Sequence, residues 1–198
     1  MRSIDSICRM ANDGWLQAGE VALEWYEVAM EEHLAVSKAY GVDFVDLVAY
    51  SALASYNASP AMQSGIVARW LDEGAGLPLP NSQVGWRDWV RYGRTALSTS
   101  KAECYRVAMM EGSRSDAVVL DRHMLRALGN LSYSSEPRGV NEDYNRATDR
   151  CLAAARRLGV SGCQLQALVW YGVTGYGGPG QEGLIDITSR LGGCDAIA

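Results

Sequence analysis

Apolar residues recur at three-to-four spacing through most of this chain, and most of these stretches have a capping residue in front or a glycine-rich break behind. That pattern commits the chain to helices packed on helices. Strand signals are weak, because Phe44 is the one phenylalanine and runs of β-branched residues are scarce. Over residues 15–40, Val21, Trp25, Val28 and Glu32 mark one face of a long amphipathic helix, with Gly41 as its stop. Asp43 is placed to cap a second helix through Tyr50 to Ser55, apolar nearly all round and therefore central. Ser59 followed by Pro60 opens a third, which runs to Glu73.

Residues 74–81 break the pattern as a loop inside one domain, and Asn81 or Ser82 restarts it towards Arg94. Residues 99–110 form the next helix, 111–116 a loop, and 121–128 another helix. Residues 132–140 are polar and turn-rich. Asn141 caps a helix whose face is Tyr144, Ala147, Cys151, Ala154 and Leu158, and Gly159 ends it. Ser161 caps the last clear helix, over residues 164–171. The glycine-rich tail 172–198 reads as a flexible linker into a short terminal helix. No strand precedes its glycines and no Lys-Ser/Thr pair follows them, so it lacks the pattern of a phosphate loop.

A chain of 198 residues matches one domain, since domains usually run to roughly 100–200 residues. With 48% hydrophobic and 21% charged residues it has the composition of a packed globule. No apolar run approaches the roughly 18 residues of a membrane span, and Met1-Arg2-Ser3-Ile4 opens no signal-peptide pattern. The expectation is a cytoplasmic protein with no membrane partner. Cys8, Cys104, Cys151, Cys163 and Cys194 are scattered, without the close pairs of zinc or iron–sulfur sites, so free thiols and no metal or cofactor are expected. The net charge of −5 gives no global attraction to nucleic acid, so any DNA contact must be local. Arg87, Arg91 and Arg94, at helical spacing, form either such a stripe or a solvated face, and the acidic group Glu27, Glu31 and Glu32 reads as a solvent face.

The chemistry concentrates in Val118-Val119-Leu120-Asp121-Arg122-His123-Met124-Leu125-Arg126, where an apolar run delivers a carboxylate and an imidazole to a helix start. Asp121 has two readings that are compatible: a cap for the helix behind it, or a carboxylate with a chemical task. His123 follows two residues later, an imidazole that titrates near neutrality. Lys101, on the preceding helix, would lower the pKa of Asp121 or bind a phosphate. Gln166 and Trp170 lie four apart on one helical face, Trp170 towards the core and Gln166 towards Asp121.

Three segments resemble the helix-hairpin-helix DNA glycosylase superfamily, and more closely its small phage offshoots, which include enzymes linked to thymine hypermodification. Leu53-Ala54-Ser55-Tyr56-Asn57-Ala58-Ser59 resembles the stretch bearing the polar residue that fills the gap left by an extruded base, which assigns that role to Asn57. Leu97-Ser98-Thr99-Ser100-Lys101-Ala102 resembles the second half of the hairpin, and Leu120-Asp121-Arg122-His123 the catalytic-Asp segment. The phage offshoots also carry a late helix similar to residues 159–170. The likeness covers about residues 42–171, with the helix over 15–40 before it. The hairpin is degenerate, because Ala96-Leu97-Ser98-Thr99-Ser100 replaces its glycine pair. Lys101 stands where the hairpin usually has Thr, and Ser100 at the position of the lyase-type lysine.

The resemblance implies an all-α, glycosylase-like domain that acts on a base in DNA without metal, in the host cytoplasm if phage-encoded. Asp121, His123 and Lys101 would carry the chemistry, and Asn57, Ser100, Arg122, Gln166 and Trp170 would contact DNA or substrate. Cleavage of the N-glycosidic bond of a base, modified bases included, is the leading expectation. Transfer of a group onto an activated thymine is the alternative on the same scaffold, and a non-catalytic DNA- or protein-binding module is the third.

Overall fold

A computed structural model describes residues 1–93, 100–129 and 142–175. All regular structure among the described residues is helical: α1 (Ile4–Ala18), α2 (Glu20–Tyr40), α3 (Phe44–Ala54), α4 (Pro60–Glu73), α5 (Pro80–Tyr92), α6 (Ser100–Glu111), α7 (Arg122–Ala127), α8 (Glu142–Leu158) and α9 (Gly162–Thr174), with a 3-10 turn at Gly112–Arg114. None of these helices is long and apolar enough to cross a membrane. The described residues divide into two compact units. The first draws on Met1–Val28 and Thr99–Pro179, the second on Ala29–Ser98, so α2 contributes to both.

Most helix starts follow from local chemistry. Asp43 Oδ1 accepts from the backbone N–H of Val45 at 2.8 Å and of Asp46 at 3.1 Å, and Ser59 Oγ accepts from Met62 N with Pro60 in the first turn. Ser161 makes a full capping box, accepting from Gln164 N at 3.2 Å while Gln164 Oε1 accepts from Ser161 N at 3.0 Å. Its hydroxyl also donates to Ser113 O at 2.7 Å, tying α9 to the 3-10 turn. Ser161→Ala should therefore cost about 1–2 kcal/mol of stability in a urea melt; a loss under about 0.3 kcal/mol would mean that neither bond matters.

Several expectations are corrected. The helix expected over 15–40 begins at Glu20, and residues 15–18 close a separate first helix, α1, because Gly19 takes φ 56° and turns the chain. On α2 the buried stripe is Ala22, Tyr26, His33 and Val36, whereas Val21 and Val28 are 63% and 49% exposed. α5 starts at Pro80 with Leu79 in the capping position and no side-chain cap, so proline's fixed φ takes the place of the expected Asn81 or Ser82 cap. Gly172, Val173 and Thr174 belong to α9, which ends at left-handed Gly175. The rest of the tail, the turn-rich segment 132–140, the cap Asn141 and the hairpin segment 96–99 lie outside the described residues.

In the first unit, α1, α7, α8 and α9 surround a core of Ile7, Ala11, Val118, Leu120, Met124, Leu128, Cys151, Leu165 and Val169, with the expected α8 face of Ala147, Cys151 and Ala154 turned into it. α1 and α9 meet backbone to backbone. A Cβ at Gly14 would lie 1.8 Å from Leu168 O, and one at Gly172 would lie 2.2 Å from Met10 O. In the second unit α3 is buried from Leu47 to Ala54, as its all-round apolar sequence implies, and packs on α4 and α5. Tyr50 stacks on Trp70 at 4.1 Å, and Trp89 Nε1 donates to Asp46 at 2.8 Å.

Candidate functional site

Asp121 is placed by what precedes it. Val118, Val119 and Leu120 are fully or almost fully buried, which anchors an extended segment, and Met124, Leu125 and Leu128 bury one side of the helix that follows. Between these anchors Asp121 takes extended backbone angles and caps α7, its Oδ1 accepting from Met124 N at 2.8 Å. The capping role is therefore real. Asp121 is half-buried, and its second carboxylate oxygen has no partner among the described residues.

Lys101, in the first turn of α6, comes within electrostatic reach of this carboxylate. Burial pushes its ammonium down to about 8, the charge of Asp121 working against that shift and the like charge of Arg122 adding to it. Arg122 opens α7 and is exposed, and His123 is half-buried. Ser100 is the first residue of α6, and its side chain lies outside the described set.

Gln166 does not bond to Asp121. It is buried on α9, and its Oε1 accepts from the Tyr26 hydroxyl at 2.5 Å. Burial pushes the Tyr26 phenol well above its usual range, helped by nearby Tyr105, Cys163, Asp121 and Cys104, so Tyr26 and Gln166 share a neighbourhood with the carboxylate. Tyr144 also lies there, its hydroxyl at 3.5 Å from Val118 O and 3.4 Å from Leu120 N. Trp170 is half-buried, packs against the core of the first unit as expected, and sits edge-on to Tyr171 at 5.5 Å. Gln166 on α9 is thus tied to Tyr26 on α2, while Asp121 at the start of α7 acts by charge on Tyr26 and on Lys101 of α6.

Asn57 belongs to the second unit. It is exposed in the turn after α3 with φ 54°, a left-handed conformation that asparagine tolerates better than most residues. That gives it a structural reason to be there. On α5, Arg87 is exposed and 3.8 Å from Asp88, and exposed Arg91 lies over the Tyr92 ring at 5.7 Å; Arg94 is outside the described residues. Of the acidic group, Glu27 is a correction: it is half-buried, its Oε2 accepts from Ser113 N at 3.1 Å, and its own N–H donates to Ser113 Oγ. That bond joins α2 to the 3-10 turn, a long-range contact that charge pattern cannot reveal.

Tyr26 is the site residue that sequence reasoning missed. The usable signal was an alternative stripe, Ala22-Tyr26-His33-Val36, which a count of large apolar residues undervalues. Cys8, Cys104, Cys151 and Cys163 are free thiols, and burial pushes Cys151 up to about 12, far from a reactive thiolate. Among the described residues no group of three or more His, Cys, Asp or Glu is arranged to hold a metal ion. Compared with models of protein families, with curated proteins and with solved structures, the chain matches none.

Proposed function

We propose that the first unit acts on a base in DNA, with Asp121 as the carboxylate that assists cleavage of the N-glycosidic bond, on a scaffold of the helix-hairpin-helix glycosylase kind. The observation that carries this reading is Asp121 itself: a half-buried carboxylate with one oxygen fixed by the cap and no hydrogen-bond partner for the other among the described residues, in charge interaction with a lysine that burial biases towards its neutral form. Breaking the bond between base and sugar develops positive charge on the sugar. A carboxylate already oriented near that charge stabilises the transition state without reorganising. The cap bond to Met124 N supplies the orientation, and the second oxygen, which has no hydrogen-bond partner among the described residues, would face the sugar or an attacking water. An amine whose proton is lost near pH 8 exchanges it readily under physiological conditions, as a general acid or base at this step requires. Half-buried His123 and exposed Arg122 are assigned to the phosphates flanking the target.

The capping role and the catalytic role separate cleanly by mutation. Asparagine caps helices about as well as aspartate, so Asp121→Asn should keep stability within about 0.5 kcal/mol of the parent. Its turnover should fall about a hundredfold, because the charge is gone. Asp121→Ala should lose the cap as well, about 1 kcal/mol. The assay is incubation with duplexes that carry a panel of modified bases, followed by mass spectrometry of the digested nucleosides. Abasic sites are the expected product; a heavier intact nucleoside would assign the same residues to group transfer onto the base. Undiminished turnover in Asp121→Asn overturns the role of the carboxylate. DNA binding by the parent without any product overturns the enzymatic reading and leaves a binding module.

A further inference from the structure

Gln166 is 7% exposed, and a carboxamide brought that far out of water needs both of its ends paired. Its oxygen accepts from the hydroxyl of Tyr26, itself 2% exposed, but its Nε2 has no partner among the described residues. The alternative amide orientation is worse. With Nε2 turned to the phenol, the Tyr26 proton would have no acceptor among the described residues and Gln166 Oε1 would be unpaired as well, so two buried groups would go unsatisfied instead of one. The phenol stays protonated, because burial opposes its ionisation, and it therefore always donates. What remains is a buried amide nitrogen offering two N–H donors, on a side chain bonded to Tyr26, which itself feels the charge of Asp121.

We propose that Tyr26 is a positioning residue that fixes Gln166 as a pure hydrogen-bond donor, so that the site accepts a base whose edge carries an oxo group and disfavours one with an amino group there. The inference rests on the DNA-base reading above and narrows its substrate class. An oxo oxygen satisfies the orphaned N–H groups. An exocyclic amino group leaves donors facing donors, unpaired and desolvated on both sides, which is the arrangement from which strong discrimination arises.

The test titrates the full-length protein calorimetrically with two pairs of free bases, hypoxanthine against adenine and uracil against cytosine, each differing by oxo for amino and the ring proton that goes with it. The same bases are then placed singly in a short duplex for the turnover assay. The oxo member of each pair should bind about tenfold more tightly. Tyr26→Phe releases the amide to rotate and should compress that ratio to about twofold. Gln166→Glu offers acceptors alone and should reverse it in favour of the amino member. A general packing defect would weaken both members equally, so the ratio separates positioning from structure. Equal binding of the two members by the parent, or an unchanged ratio in Tyr26→Phe, overturns the assignment, and if Tyr26→Phe does not fold, failure of Gln166→Glu to reverse the preference does so. Where turnover on DNA persists, those results leave the DNA-base reading intact; absence of both base binding and turnover ends the two together.

Discussion

Gly172→Ala is expected to lower the thermal midpoint of the first unit by roughly 10 °C, equivalent to about 3 kcal/mol. The added methyl would sit 2.2 Å from Met10 O and 2.9 Å from Gly14 N, atoms of the α1 backbone that cannot swing aside as a side chain can. The helices must separate, and every side chain along their seam then loses contact. Gly14→Ala meets Leu168 O at 1.8 Å and should cost as much. Because one separation relieves both clashes, the double variant should lose less than the sum of the two. Gly65→Ala is the control. Gly65 lies within α4 with nothing near its missing Cβ, so the same substitution there should stabilise by about 0.5–1 kcal/mol. Circular-dichroism melts of the parent and the four variants decide the matter: a loss below about 1 kcal/mol for both seam variants would mean that the two backbones are not in contact.

Acidification should destabilise the second unit by about 3 kcal/mol between pH 6.5 and pH 4 through His33 alone. This imidazole is 6% exposed. Its Nδ1 donates to Ala29 O at 2.7 Å and its Nε2 accepts from the Ser51 hydroxyl at 2.9 Å, an arrangement that uses the neutral ring completely. Burial lowers its pKa from 6.5 to about 4, more than the bond to Ala29 raises it. Above pH 6.5 the ring is neutral in both folded and unfolded chains and contributes no slope. Between 6.5 and about 4 the unfolded chain takes up a proton that the folded one refuses, so stability falls as pH falls. Below about 4 both forms are charged and the loss is complete. His33→Gln, which has no group to titrate, should be less stable at pH 7 but should lack this slope. Urea midpoints of parent and variant at pH 7 and pH 4.5 test the difference directly; parallel curves would show that His33 is not buried in its neutral form.

What could be read in the sequence was what short-range chemistry controls. Asp43, Ser59 and Ser161 cap where their side chains meet the first backbone N–H groups, a contact spanning three residues or fewer. The central place of α3 followed from its lack of a polar face, and the inward side of α8 from its narrow apolar stripe. The carboxylate segment was legible for the same reason: a buried run ending in Asp121 must begin a helix there, and it does. The face of α2 was not legible, because Val21 and Val28 outweighed Ala22 and Tyr26 on any hydrophobic count, yet packing favours a small residue and a hydrogen-bonded phenol.

Glycine makes the same division sharpest. The sequence alone determined the helices of the described residues, most of the breaks between them, and a carboxylate at a helix start, since each depends on neighbours a few residues away. Tertiary structure decided that Gly172 is a contact surface inside a helix and no part of a linker, that Gln166 is held by Tyr26 across 140 positions, and that Lys101 is driven towards neutrality beside Asp121. Those three outcomes depend on which backbones approach and which groups leave water together, and both are properties of packing between distant segments that no local pattern encodes.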